Sequence, residues 1–234
     1  MPDSMEVDAV GAELVLFAGS KGGAGKTLSS VLLSVGAYRR GRAPVHVQMT
    51  PPGTRALVAK LLRLPFTALE IVGSSNSISA SAILAAAQSG LVVADLSTER
   101  LNLGMLDGPS TRIIFPVRPG NTEIEYLVYD LMDIYSVRLM PRAQETVVYV
   151  LPVGFEGADI NSIDLARSLT SLGCTPSIVA QTRILPAVPM LSDDEIASLS
   201  SSESCRPLPG IIHAAASLYL SVFSKRLDAH AGAS

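Results

Sequence analysis

Ser20-Lys21-Gly22-Gly23-Ala24-Gly25-Lys26-Thr27 separates the apolar run Glu13 to Gly19 (ELVLFAG) from a stretch with Leu28, Val31, Leu32 and Val35 at i, i+3, i+4 and i+7. The short apolar run closed by glycine predicts a buried strand, and the spacing after it predicts one face of a helix. Arg39 and Arg40 in the last turn, followed by Gly41, supply a normal helix C-terminus. The turn between strand and helix carries the chemistry. Its glycines permit unusual dihedrals and close approach, so several backbone N–H groups can converge on a phosphate chain at the helix N-terminus. Lys26 stands where an ammonium reaches the β- and γ-phosphates, and the Thr27 hydroxyl suits Mg²⁺. A strict phosphate-loop pattern places glycine five residues before Gly25. Here that position is Ser20, and an additional lysine, Lys21, follows it.

Outward from this unit the alternation of strand and helix continues. Val45 to Met49, Leu91 to Ala94, Arg112 to Val117, Thr146 to Leu151 and Ser177 to Ala180 read as strands. Thr54 to Leu62, Ser77 to Gln88, Glu123 to Tyr135, Ile160 to Leu172 and Ile211 to Leu227 read as helices. Strands alternating with helices predict an α/β fold: a single three-layer domain with a mostly parallel, P-loop-type sheet flanked by helices. The domain is expected over residues 13–227, with a flexible leader over 1–12 and a flexible tail over 228–234. The Ser-, Pro- and acid-rich segment from Pro186 to Pro209 reads as a surface excursion.

Composition agrees. Of 234 residues, 48% are hydrophobic and 17% charged, which excludes a disordered chain. Aromatics are only 5% and Trp is absent, so the core must come from Val, Leu, Ile and Ala, as in sheets buried on both faces. A net charge of −3 does not suit a generally basic nucleic-acid binder. Cys174 and Cys205 form neither a disulfide framework nor a metal-ligand spacing, which suits a reducing cytoplasm. The stretches Ile71 to Ala94 and Pro207 to Ser224 lack charge but are broken by polar residues or proline, so neither reads as a membrane span. His46, His213 and His230 are scattered without ligand spacing.

Lys21-Gly22-Gly23-Ala24-Gly25-Lys26-Thr27 resembles the deviant Walker A motif of the ParA/MinD family of P-loop ATPases. Leu91-Val92-Val93-Ala94-Asp95 resembles that family's apolar strand ending in the Walker B aspartate. Arg112-Ile113-Ile114-Phe115-Pro116-Val117-Arg118-Pro119 resembles its strand-plus-proline segment. The resemblance implies a nucleotide-binding segment of Ser20, Lys21, Gly22, Gly23, Ala24, Gly25, Lys26, Thr27 and Leu28, with ATP and Mg²⁺ as cofactors. It implies Thr27 and Asp95 as metal ligands, and Lys21, Lys26 and Asp95 as catalytic residues. Lys21 would reach across a nucleotide-linked homodimer to the partner's phosphates. Asp95 has an independent reading as a ligand residue, because a charged side chain at the end of a buried strand lies where open α/β sheets bind ligands; the alternative is an aspartate capping a turn.

Two departures stand out. Where the family has an Asp-x-Asp-Pro-like segment after its second strand, this chain has Gln48-Met49-Thr50-Pro51, with Gln48 and Thr50 in place of the carboxylates. Gln48 can orient a water but cannot act as a base or give Mg²⁺ negative charge. After the sixth strand, where the family often has a base-reading asparagine, this chain has Val150-Leu151-Pro152-Val153-Gly154, so ATP and GTP stay open. The resemblance implies a cytoplasmic, bacterial dimer switch in plasmid or chromosome partition or cargo positioning, with a ParB-like adaptor or cargo protein as partner. The alternative is a hydrolysis-deficient nucleotide-binding scaffold in plasmid maintenance or conjugative transfer. Non-specific DNA is a further partner to consider. Arg39, Arg40 and Arg42 with Arg167, Arg183, Arg206, Lys225 and Arg226 give it only a thin basic signal. A membrane surface is disfavoured, because Leu218 to Leu227 reads better as a packed closing helix.

Overall fold

The computed structural model describes residues 13–50, 64–72, 83, 90–96, 110–137, 146–155, 162–192, 195, 198 and 209–223. Seven strands occur among them: β1 (Glu13–Phe17), β2 (Val45–Thr50), β3 (Thr67–Val72), β4 (Leu91–Asp95), β5 (Ser110–Val117), β6 (Val147–Pro152) and β7 (Arg183–Ile184). The helices are α1 (Lys26–Arg39), α2 (Asn121–Val137), α3 (Ser162–Ser171), α4 (Pro176–Gln181) and α5 (Pro209–Phe223). The strands form one sheet in the order β3-β2-β4-β1-β5-β6-β7, and every pairing is parallel.

β1 is central because both its faces and both its edges are used. Leu14, Val15, Leu16 and Phe17 are fully buried, and β1 pairs with β4 on one side and β5 on the other. Side chains alternate between faces along a strand, so a run buried on both sides must be apolar throughout. Leu14 and Leu16 join Val92, Ala94, Ile113 and Phe115 beneath α2 and α3. Val15 and Phe17 join Val93 and Ile114 beneath α1 and α5. The chain leaves β1 to build β2 to β4 on one flank and then returns to build β5 to β7 on the other. The carboxyl end of β1 therefore lies where the direction of winding reverses, the place where such sheets leave a crevice for ligands.

α1 and α5 approach closely. A Cβ on Gly36 would lie 2.2 Å from the Ala215 carbonyl oxygen, so only glycine lets these helices meet. Ile211, Ala214, Ala215, Leu218 and Val222 of α5 are buried, as expected for a packed closing helix. At the opposite end of the sheet from the loop, Glu13 accepts from Arg42 at 2.5 Å and from Arg112 at 2.9 Å. Both guanidinium groups lie over the Phe223 ring, at 5.0 and 4.7 Å from its centroid. Arg42 thus ties to β1 and α5, with Arg112 joining β5 to the same pair, rather than standing in a free basic cluster.

Two expectations need correction. Ser177 to Ala180 lies in the helix α4, and the strand follows at Arg183–Ile184. Pro176 occupies the first turn, where its missing N–H costs nothing, and the turn it starts outweighs the apolar Ile178-Val179-Ala180 run. Thr67–Val72, not expected as a strand, pairs with β2 along its whole length. It is the edge strand, with Thr67, Leu69 and Val72 exposed, so it carries no buried-strand pattern. Leu91–Asp95 is a strand as expected, and the strands at 45, 112 and 146 and the helices at 123, 160 and 211 are found with boundaries shifted by a few residues. The helix expected from Thr54 to Leu62, the leader over 1–12 and the tail over 228–234 lie outside the described residues. So does most of the helix expected from Ser77 to Gln88, of which Ile83 is helical and buried.

Candidate functional site

The loop between β1 and α1 is shaped by glycines at the positions that need them. Gly23 and Gly25 have φ of 81° and 93°, left-handed conformations that favour glycine. Gly25 caps α1, and a Cβ there would also lie 3.2 Å from Val153 of the segment after β6. Gly25 has no side chain to cap α1, so the N-cap residue leaves the first backbone N–H groups of the helix to other partners.

Lys26 turns back into this loop. Its Nζ donates to the carbonyl oxygens of Gly19 at 2.9 Å and Lys21 at 2.7 Å. Only 5% of the residue is exposed. Burial lowers the Lys26 pKa, and the nearby carboxylates of Asp95, Asp130 and Glu123 partly oppose that shift. The next residue, Thr27, donates its hydroxyl to Asp95 Oδ2 at 2.5 Å. Asp95 ends β4 and is fully buried. The hydroxyl and carboxylate expected as metal ligands are thus adjacent, and together they supply the hard oxygen donors that Mg²⁺ takes.

β2 completes this corner. Gln48 is the parallel-register partner of Asp95. Gln48 and Thr50 are buried, at 7% and 4% exposure, and among the described residues Gln48 Oε1 and Thr50 Oγ1 have no hydrogen-bond partner. Buried acceptors without a donor are uncommon and call for a ligand or an ordered water. Residues two apart on a strand share a face, so both lie on the face that carries Asp95, at the carboxyl end of β2. The donor set therefore fits a hydrated divalent cation: one carboxylate, one hydroxyl and two neutral oxygens beside them.

α2 supplies residues with no recognisable motif. Lys21 Nζ lies 2.7 Å from Glu123 Oε1 and 5.4 Å from the centre of the Tyr126 ring. One turn further, Asp130 Oδ2 accepts from the Ser20 backbone N–H at 3.0 Å. Burial raises the Asp130 pKa, and the Ser20 hydrogen bonds and the Lys26 charge work against that rise. Gly19, Lys21, Ala24, Phe115, Glu123 and Asp130 are among the residues lining a shallow recess between loop and helix. Glu123, Tyr126 and Asp130 follow helical spacing at i, i+3 and i+7, which was the only signal in the sequence that they share a face.

Of the residues singled out, Lys21, Lys26, Thr27 and Asp95 come together, with Gln48 in register beside Asp95. Leu28 sits half-buried against the apolar cluster under α1. Cys174 is buried, and burial raises its pKa. Among the described residues no group of three His, Cys, Asp or Glu side chains could hold a metal ion by itself. No helix among them is long and apolar enough to cross a membrane.

No protein-family model matches the chain, and neither does any curated protein. Solved structures do. The chain is similar to a variant of McdA from Cyanothece in complex with ATP, at 12% identity and a TM-score of 0.56, covering 90% of this chain and 96% of that one. It is similar, at 14% identity and a TM-score of 0.56, to a chain of the MinC:MinD cell division protein complex of Aquifex aeolicus, again covering 90% and 96%. Apo McdA matches at 13% identity, a TM-score of 0.53 and coverage of 88% and 98%. At these identities the likeness concerns the fold: a parallel sheet flanked by helices, shared over nearly the whole length.

Proposed function

We propose that this chain is a ParA/MinD-like nucleotide-binding switch that takes ATP with Mg²⁺ at residues 20–28. One observation carries the reading. The turn at the central strand's carboxyl end holds a buried lysine inside a glycine loop, and the following threonine is bonded to a strand-end aspartate. The McdA likeness includes an ATP complex, and it supports the same nucleotide here.

In this reading the loop amides and the α1 N-terminus receive the phosphates, and Lys26 exchanges its two carbonyl acceptors for phosphate oxygens. Thr27 and Asp95 hold Mg²⁺, which when bound draws charge from the phosphate oxygens. Gln48 and Thr50 hold water beside it. Lys21 is the group offered to a second subunit, and the nucleotide-linked homodimer is the form that an adaptor or cargo protein recognises. DNA has less support, because Arg42 is committed to Glu13 and Phe223. Calorimetry with Mg-ATP and Mg-GTP tests the reading. Saturable binding lost in Lys26→Ala supports it, and no association at millimolar ligand overturns it.

The second reading is a nucleotide-binding scaffold with little or no hydrolysis. The neutral Gln48 and Thr50 beside Asp95 favour it, since neither can serve as a base. Phosphate release with Mg-ATP, alone and with DNA, separates the two. Turnover abolished by Lys26→Ala selects the ATPase, and tight binding without release selects the scaffold.

A further inference from the structure

We propose that the groove at the amino ends of β2 and β3 is a docking site for an extended, acidic segment of a partner protein. An apolar side chain of that segment seats beside Tyr38 and Phe66, and its carboxylates meet Arg39 and Arg40. The groove lies at the end of the sheet opposite the glycine loop, so the proposal does not depend on the nucleotide reading.

The groove has a fixed floor and an open mouth. It measures about 550 Å³, and Tyr38, Ala43, Pro44, Leu64, Pro65 and Phe66 are among the residues that line it. No described residue of its lining is charged. The Phe66 ring stands 6.4 Å from the buried His46 ring and 6.2 Å from the Tyr38 ring, tilted by 52° to each. His46 is held in turn by Ser34, so packing between α1 and β2 sets the position of Phe66. Tyr38 is 44% exposed. So is Leu69, which shares a face of β3 with Thr67, itself a lining residue. The apolar surface therefore runs on from the groove along the edge strand, an elongated shape that suits an extended chain better than a compact ligand. Apolar surface of this kind marks interaction sites.

Charge sets the chemistry of the partner. Arg39 and Arg40 are exposed and belong to the turn between Tyr38 and Ala43, both lining residues. That turn is pinned. Gly41 has a φ of 80°, its N–H donates to the Tyr38 carbonyl at 2.9 Å, and the Arg42 N–H donates to the Ala37 carbonyl at 3.1 Å. Neither the Arg39 nor the Arg40 guanidinium has an acceptor among the described residues, whereas Arg42 beside them is engaged by Glu13. Two unanswered cations at the rim of an uncharged groove complement carboxylates. Arg and Tyr are also side chains that commonly carry binding energy at protein interfaces. A nucleic acid fits less well, because the prolines of the groove have no N–H to offer phosphate and the chain carries a net charge of −3.

The test uses the full chain and a displayed library of short random peptides, whose selected members are then synthesised and titrated. Selected peptides are expected to combine an apolar or aromatic residue with several carboxylates. Their affinity is expected to fall at least about fivefold in Tyr38→Ala, and about two- to fivefold in each of Arg39→Ser and Arg40→Ser. It is also expected to weaken when salt is raised to about 0.5 M. Mg-ATP affinity is expected to be the same in these variants as in wild type, so a chain that binds no nucleotide still decides the groove. Peptides without acidic enrichment, or equal binding by wild type and all three variants, would overturn the proposal. So would three other occupants. A single-stranded DNA oligonucleotide that binds more tightly and loses affinity in the same variants would make the groove a nucleic-acid site. Self-association abolished by Tyr38→Ala would make it a contact between copies. A peptide of residues 1–12, which carries Asp3, Glu6 and Asp8, would assign it to the chain's own segment if it displaced the selected peptides.

Discussion

Gln48 stands opposite Asp95 in register on adjacent parallel strands, and its side-chain oxygen is buried without a donor among the described residues. Asp95 meanwhile accepts from Thr27 at the start of α1. A carboxylate and a neutral amide thus share one row at the carboxyl end of the sheet. A second carboxylate in that row would face Asp95 across a single strand spacing, in a buried setting. The amide relieves that repulsion at the expense of charge for a cation.

Gln48→Glu restores the charge with little change of shape. In chelator, the variant is expected to lose about 1–3 kcal/mol of stability, the usual scale for a buried uncompensated charge. Mg-ATP is expected to recover more stability in the variant than in wild type, because the cation then meets two carboxylates. Thermal unfolding with EDTA and with Mg-ATP measures both. Equal melting temperatures in EDTA would show that Gln48 does not share the Asp95 environment.

Lys26→Ala removes the donor that serves both Gly19 and Lys21 carbonyls and a cation close to Asp95, Asp130 and Glu123. Nucleotide affinity is expected to fall at least about tenfold, since a charge-assisted bond to phosphate is lost. Stability is expected to drop by about 1–3 kcal/mol from the unpaired buried acceptors. Calorimetry and urea unfolding read the two effects separately. A variant that binds Mg-ATP as wild type does would remove Lys26 from the site.

His46 sets a pH dependence. The ring is buried against Phe66, with Nδ1 3.1 Å from Ser34 Oγ, and burial lowers its pKa from 6.5 to about 4. Above pH 6.5 the ring is neutral whether the chain is folded or not. Below that, the unfolded chain takes up a proton that the folded chain refuses until about pH 4. The unfolded state then binds more protons, so stability falls as pH drops across this window, by up to about 3 kcal/mol. His46→Leu is expected to flatten that slope in urea unfolding between pH 7 and 4. An unchanged slope would assign the loss to other groups.

Gly36→Ala places a methyl group 2.2 Å from the Ala215 carbonyl oxygen. In an isolated helix alanine would be favoured by about 1 kcal/mol. Here α1 and α5 must move apart, and the net expectation is a loss of about 1–3 kcal/mol. A stabilised Gly36→Ala protein would mean that the two helices do not pack as closely as described.

Much of the architecture was legible from local pattern. ELVLFAG, the glycine turn and the period of Leu28 to Val35 each describe backbone needs that neighbouring residues meet, and β1, the loop and α1 follow them. Where local signals conflict, the reading fails. Thr67–Val72 lacks a buried run because it is an edge strand, and its pairing with β2 is visible only once β2 is placed. Pro176 starts a helical turn in a stretch whose apolar residues resemble a strand. In the site, Lys26, Thr27 and Asp95 carry motif signatures. Glu123, Tyr126 and Asp130 do not, because their relation to the loop is a matter of which helix packs beside it.

What the amino-acid sequence by itself determined is the layered parallel fold and a glycine-rich loop that leads into α1 through Lys26 and Thr27, since both depend on residues adjacent in the chain. The tertiary structure decided the company these groups keep: Thr27 with Asp95 across 68 positions, Lys21 with Glu123, Ser20 with Asp130 across 110, and Arg42 with Glu13. Charges find partners by distance through space, and that distance is set by the order of strands in the sheet, which no local pattern encodes.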